Sequence, residues 1–183
     1  MDPVVHSLFP DTVMSVAIRI RPEEAGDVAD IWHVTQRAFT GRPYSDGNEA
    51  DIIDLLRDQG ALAISLVAEH AGAVVGHVAF SPAVPEDLSP GWYTLGPVSV
   101  EPDAQRQGIG KALIRAGIAR LRELNAAGCI VLGDTNYYSQ FGFATAPQLA
   151  PAGEPAEYFM ALSLGGTVPT CRMGFHKAFH QAG

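Results

Sequence analysis

The sequence predicts a single α/β domain built on a mixed β-sheet, and three observations carry that reading. Ala63 to Glu69 and Val74 to Ser81 are apolar runs joined near His70-Ala-Gly72, the signature of an antiparallel hairpin. The second half places a long amphipathic segment between two apolar strands, Tyr93 to Val100 and Ile130 to Leu132, which is the order of a strand–helix–strand crossover. The chain of 183 residues, 47% hydrophobic and 17% charged, is long and apolar enough for one real core.

Taken in order, Val16 to Pro22 alternates like a strand. Pro22 and the two acids after it suit the opening of a helix, whose inward stripe is read as Val28, Ile31, Trp32, Thr35 and Phe39. Gly41 to Gly47 is a loop by its turn residues. Glu49 to Gln59 is a second amphipathic helix with Ile52, Leu55 and Leu56 inward. The hairpin follows, then a loop from Pro82 to Pro90 with three prolines, then the Tyr93–Val100 strand, stopped by Pro102. Gly108 to Asn125 is a long helix with Ile109, Leu113, Ala116 and Leu124 near one face. Ile130 to Leu132 is a short buried strand. Tyr137 to Gln140 has room for only a helical turn, Phe141 to Ala144 leads into another strand, and Tyr158 to Leu164 is the last clear one. Residues 15–165 form the domain on this reading. Residues 1–14 are an extension without an assigned role, and 166–183 form a tail whose Phe175 and Phe179 could dock on the domain or on a second copy.

Net charge is −8, which argues against a nucleic-acid partner and is compatible with a cationic or amine substrate. There is no apolar run of the length a membrane span needs, and Met1-Asp2-Pro3 lacks the basic start of a signal peptide. Only Cys129 and Cys171 are present, too few for a disulfide framework, so a cytoplasmic location is expected. Cys129, in an apolar strand, reads as buried and inert. His176 and His180 have helical spacing, but Lys177 stands where a zinc protease needs Glu, and no metal is expected. No Ser lies in a Gly-x-Ser-x-Gly turn.

The chemistry concentrates at Gln105-Arg-Gln-Gly-Ile-Gly-Lys111, a glycine turn between a strand and a helix. Such a helix start presents N–H groups without intrahelical partners at the positive end of the dipole, a site for phosphate. A P-loop ending at Gly110-Lys111 would need Gly at Gln105 and Ser or Thr at Ala112, and has neither. A dinucleotide fingerprint from Gly108 would need Gly or Ala at Leu113. The coenzyme A type of turn survives.

With the Leu95-Gly-Pro-Val-Ser-Val100 strand before it and Val131-Leu-Gly-Asp134 and Tyr137-Tyr-Ser-Gln-Phe-Gly-Phe143 after it, the region resembles the GCN5-related N-acetyltransferase (GNAT) family, most closely its YhbS-like bacterial branch. Gly76 to Pro82 resembles the preceding strand and loop, so the likeness covers most of residues 16–164. The resemblance implies the acyl-CoA N-acyltransferase fold, a splayed mixed sheet flanked by helices, with acetyl-CoA in the cleft between the Tyr93–Val100 and Ile130–Leu132 strands. It implies that the pantetheine arm pairs with the backbone of Val98, Ser99 and Val100. The pyrophosphate would lie on the turn formed by Gln105, Arg106, Gln107, Gly108, Ile109, Gly110 and Lys111. Glycine at 108 and 110 agrees, because no Cβ obstructs the approach.

In this family a Tyr four residues before the Gly of the Gly-Phe turn protonates the departing thiolate; here that is Tyr138, four before Gly142, with Tyr137 beside it at the cofactor. Many members carry an Asn about seven residues before that Tyr. Val131 occupies this spacing here, and Asp134 is the substitute cofactor contact. The acceptor would be an amine of unknown identity. An alkyl ammonium with pKa about 10.4 is neutral in about one molecule in 2,500 at pH 7, a penalty of about 4.6 kcal/mol, so a base is needed. Glu49, which opens the second helix beside the variable loop, is the first candidate, followed by Asp46 and His77; Glu49 equally suits a helix N-terminus, and His77 a core position. The expected function is transfer of acetyl to a primary amine by direct attack in a ternary complex, a small-molecule amine being favoured. Acetylation of protein N-termini or lysines and a non-catalytic acyl-CoA-binding role are the alternatives, and a homodimer is compatible with the chain.

Overall fold

The computed structural model describes residues 17–182, so the 1–14 extension and the predicted strand start at Val16 lie outside the described residues. The elements are β1 (Arg19–Pro22), α1 (Val28–Phe39), α2 (Glu49–Asp58), β2 (Ile64–His70), β3 (Ala73–Pro82), β4 (Val84–Pro85), β5 (Trp92–Val100), α3 (Ile109–Glu123), β6 (Gly128–Leu132), α4 (Thr135–Ser139), β7 (Ala144–Thr145), β8 (Phe159–Ser163), β9 (Met173–Gly174) and α5 (Ala178–Gln181). Seven strands form one sheet in the order β1-β2-β3-β5-β6-β8-β7. Every pairing in it is antiparallel except β5 with β6, where α3 makes the crossover. This is the α/β mixed sheet that the sequence predicts.

Period-two alternation sorts the sheet into two faces. Leu66, Ala68, Val78, Phe80 and Leu95 pack against Leu113, Ile114 and Leu121 of α3. The intervening Val67 and Ala79 pack instead against Ile31 and Val34 of α1 and Ile53 of α2. Beyond β6, no long helix among the described residues covers the α1–α2 face. Ile130 and Phe159 are covered there by Leu149, Met173 and Phe175.

Several boundaries differ from the sequence reading. Pro22 does not open a helix: β1 pairs with β2 through Pro22, which an edge strand tolerates, and a 3-10 turn (Ala25–Asp27) precedes α1. Asp27 fixes that turn by accepting from the Glu24 N–H at 2.7 Å and from Arg21 at 2.6 Å. The buried stripe of α1 is Ile31, Val34, Thr35 and Ala38, with Val28, Trp32 and Phe39 only half-buried. In α2, Ile53 is buried and Leu55 is half-buried. Leu124, read as inward, is 53% exposed, because α3 ends at Glu123 and Asn125 turns left-handed at φ +53°. The loop after β3 contains β4, which pairs with β9 near the C-terminus.

Candidate active site

β5 and β6 pair at only three positions, Trp92 to Thr94 against Gly128 to Ile130. Past them the β5–β3 register jumps from Leu95 opposite Phe80 to Val98 opposite Val78, so Gly96 and Pro97 together oppose Ala79. Gly96 has φ +131°, a conformation that suits glycine, and Pro97 supplies no N–H. The bulge bends β5 away from β6, and the sheet splays. The Glu101 N–H donates to the Val75 carbonyl at 2.9 Å, which sets the phase of the ladder. Ser99 therefore exchanges hydrogen bonds with His77, while Val98 and Val100 turn their main-chain groups to the opposite, open edge. The Ser99 side chain is buried on the α1 face, 3.1 Å from the Thr35 hydroxyl. Of the three predicted β5 contacts, only Val98 and Val100 present backbone to the cleft.

The chain leaves β5 through a 3-10 turn (Pro102–Ala104) and enters the glycine turn. Arg106 and Gly108 both have positive φ, +62° and +85°, and Gly108 caps α3 without a side-chain partner. The first bond spanning the helix start runs from the Ala112 N–H to the Gly108 carbonyl at 3.0 Å. The N–H groups of Ile109, Gly110 and Lys111 thus have no intrahelical acceptor, and they cluster at the positive end of a 15-residue helix. A Cβ on Gly110 would lie 3.2 Å from the Tyr137 hydroxyl and 3.7 Å from Val100 Cγ2, so glycine keeps this channel open. The side chains of the two glutamines are engaged within the loop. Gln105 donates to the Val100 carbonyl at 3.0 Å and accepts from Arg42 at 3.0 Å, and Gln107 donates to the Asp103 carbonyl at 3.3 Å. Arg106 and Lys111 are exposed. A helix start with free N–H groups beside an open strand edge fits a phosphate-bearing, amide-containing ligand such as coenzyme A.

Across the splay, Asp134 caps α4 by accepting from the N–H groups of Asn136 (2.8 Å) and Tyr137 (3.3 Å). Its carboxylate therefore orients the two tyrosines. Tyr138 lies over Gly133, where a Cβ would meet its ring at 2.5 Å, and edge-on to Phe143 at 6.0 Å. Burial, reinforced by Tyr137 and Cys129, pushes the Tyr138 phenol well above the usual tyrosine range. Burial also raises Tyr137, which packs edge-on against Tyr138 at 5.1 Å and Phe141 at 5.6 Å. Cys129 is fully buried, and desolvation raises its thiol far above the normal range, so it is no nucleophile.

The base candidates occupy three different environments. Glu49 is half-buried in the first turn of α2, and Asp46 is exposed in the preceding loop. His77 is completely buried on the α1 face, with Nε2 2.8 Å from the Ser65 hydroxyl. Desolvation lowers His77 to about 4, only partly offset by Glu23 3.9 Å away. Ser65 also donates to Glu23, whose carboxylate takes a 2.7 Å bond from Arg57. Burial would raise Glu23, but Arg57 and Ser65 outweigh it and hold the carboxyl low. His77 is thus a neutral member of a core network and has no surface with which to touch an acceptor.

The sequence matches the profile of the acetyltransferase (GNAT) family over residues 28–143. The chain belongs to the GNAT acetyltransferase family. The N-acetyltransferase YjhQ of Escherichia coli (strain K12) is 38% identical over 139 residues, 74% of this chain and 73% of that protein. A GNAT acetyltransferase from Brucella melitensis, solved in complex with acetyl-CoA, is 44% identical with a TM-score of 0.81, covering 90% of this chain and 99% of that one. YhbS from Escherichia coli, solved with CoA, is 28% identical with a TM-score of 0.82, covering 97% and 98%. The YhbS-like resemblance therefore holds, and with it the GNAT fold. The chain is an acetyl-CoA-dependent N-acetyltransferase.

In this acetyltransferase the fold brings Val100, Gly110 and Tyr137 together with Tyr138 beside Tyr137, and leaves His77 buried on the α1 face. Arg42 escaped the sequence reading. It bridges the α1–α2 loop to Gln105 across 63 positions of chain, and no local pattern marks such a contact. Tyr44, in the same loop, is 75% exposed and adds to the upward pressure on the Tyr138 phenol. Among the described residues no cluster of metal-ligating side chains occurs, and no helix is long and apolar enough to cross a membrane.

Proposed function

We propose that this acetyltransferase acetylates a small primary amine by direct attack in a ternary complex, with the donor laid along the open edge of β5 and across the start of α3. The observation that carries the reading is the pairing of two backbone surfaces: the edge of β5 at Val98 and Val100, which no neighbouring strand covers, and the N–H groups of Ile109, Gly110 and Lys111, which have no intrahelical acceptor. On this reading the amides from Arg106 to Lys111 hold the pyrophosphate, with Arg106 and Lys111 adding positive charge from the rim. Gln105 fixes the loop by tying it to Val100, and Gln107 by tying it to Asp103. Asp134 acts through the α4 cap, and Tyr137 lines the channel beside Gly110.

Glu49, directly or through water, removes the proton that keeps the amine cationic. The Val98 N–H polarises the thioester carbonyl, a preorganised donor that needs no rearrangement. A C–N bond forms and the C–S bond breaks. Tyr138 delivers its phenolic proton to the leaving sulfur, and the proton shed by the new amide restores the phenol. The raised Tyr138 pKa keeps the proton on oxygen at neutral pH, and the same dry surroundings disfavour a free thiolate, so both effects of burial favour the transfer.

The test is thiol release from acetyl-CoA against a panel of small amines, N-terminal peptides and lysine peptides. Turnover highest with small amines supports the reading. Turnover confined to peptides replaces it with protein acetylation. Tight coenzyme binding without thiol release for any acceptor replaces it with a non-catalytic binding role.

A further inference from the structure

The stretch after β8 plays no part in the donor site, yet it is anchored along its length. β9 pairs with β4 through Met173 opposite Pro85. The Phe175 ring stands 6.1 Å from Phe159 of β8 and 5.6 Å from Phe179. Ala178 is fully buried in a cluster with Ile52 and Leu56 of α2. Gln59 donates to Gln181 at 3.0 Å, and Asn48 donates to the Ala182 carbonyl at 2.6 Å. The segment therefore starts on the β6–β8 half of the sheet and ends on α2, which lies over the other half.

Where it crosses decides what it can do. Phe159 is the register partner of Leu132, two residues beyond the last β5–β6 pair, so Phe175 lies at the splayed end of β6. Phe159 faces the α1–α2 side of the sheet, the side away from α3. The crossing thus spans the gap between β5 and β6 on the face opposite the start of α3, and it ends at Asn48, one residue from Glu49. Phe175 and Phe179 are only partly buried and expose aromatic surface there, while Asp46, Glu49 and Asp51 gather negative charge around the start of α2.

Resting on the function proposed above, we infer that Phe175 to Ala182 is the acceptor-selecting wall of the enzyme. It takes a small primary amine with an apolar or aromatic body, laid against Phe175 and Phe179 with its ammonium at the acidic start of α2. An extended peptide is excluded because the strap occupies the face between β8 and α2 that it would cross.

The test measures kcat and KM for 2-phenylethylamine, ethanolamine and a lysine-containing hexapeptide, with acetyl-CoA affinity read separately by calorimetry. The wild type should prefer 2-phenylethylamine. Phe175→Leu and Phe179→Leu, which keep apolar packing, should each raise its KM about tenfold relative to that for ethanolamine and leave acetyl-CoA affinity within twofold. Asn48→Ala, which frees the end of the strap, should raise the same KM and increase the rate on the hexapeptide. Equal changes for both amines, or a wild type that prefers ethanolamine or the peptide, would overturn the strap proposal while leaving the acetyltransferase intact. Acetyl-CoA binding with no turnover of any acceptor would overturn the underlying reading as well.

Discussion

In the proposed complex the donor lies on main chain from Val98 to Lys111, left open by Gly108 and Gly110, and the acceptor meets side chains from Arg42 to Glu49 and from Phe175 to Ala182. The difference is one of chemical task. A diphosphate and a chain of amides are the same in every turnover, and backbone N–H and C=O groups bind them with a geometry that side-chain substitution leaves largely intact. An acceptor is recognised by size, charge and apolar surface, which only side chains supply. The two sides also differ in how they are held. The donor side is one continuous segment of strand, turn and helix. The proposed acceptor side joins the α1–α2 loop to the segment ending at Ala182 through the Asn48–Ala182 bond.

The sharpest way to break this contrast is to add a side chain to the donor side. Gly110 lies in α3 and its φ is outside the left-handed range, so the backbone accepts another residue. Gly110→Leu should raise the KM for acetyl-CoA by about 10² to 10³ and leave that for the amine within about threefold, because bulk there closes the approach of the diphosphate. Equal effects on both substrates would show that the turn serves the site as a whole.

Tyr138→Phe should lower kcat by about 10² with little change in either KM, the size expected for loss of a general acid. Because burial raises the phenol pKa, the acid-competent form persists past the ordinary tyrosine range, and wild-type kcat should show no alkaline loss near pH 10 from this group. Full activity in the variant would move the acid role to Tyr137.

The buried network under α1 belongs to neither side and should report on stability alone. The folded-state pKa of His77, about 4, lies below its ordinary value of 6.5, so between these pH values the unfolded chain binds the extra proton. Stability from this group is complete above pH 6.5 and falls as pH drops to about 4, by on the order of 2 to 3 kcal/mol. Glu23, Asp27 and Arg57 face the same ring, and the two carboxyls, both held low, lose their own contribution only at lower pH. Denaturant unfolding at pH 7.5 and 4.5 should show this slope in the wild type and a shallower one in His77→Gln. Equal slopes would mean that His77 is protonated in the folded state.

The smallest effect is expected at Glu49. Glu49→Gln should lower kcat/KM for the amine about tenfold at pH 7 and narrow to little difference at high pH, where the amine is neutral without help. An unchanged pH profile would assign the base to Asp46 or to water.

The donor side was legible in the sequence because its determinants are local. Leu95-Gly-Pro-Val-Ser-Val100 and Gln105 to Lys111 contain their own bulge, turn and helix start, and Tyr138 follows at fixed spacing from Gly142. The hairpin was legible for the same reason, since its strands are adjacent in the chain. The helix faces were only partly so. In α1 the bulky Trp32 and Phe39 dominate the apolar pattern while the buried positions include Val34 and Ala38, and no local sign marks the turn at Asn125 that leaves Leu124 outside α3.

What the sequence by itself determined is the frame proposed for the donor: a glycine-opened helix start needs only neighbouring residues to exist, so the turn and its free N–H groups are encoded where they stand. What only the tertiary structure decided is which side chains share a space. The reach of Arg42 to Gln105, the withdrawal of His77 into a dry network with Ser65 and Glu23, and the passage of Phe175 to Ala182 from β8 to α2 all join residues far apart in the chain. Each depends on the splay between β5 and β6 and on packing over two faces of one sheet, and neither leaves a periodic mark on any single segment.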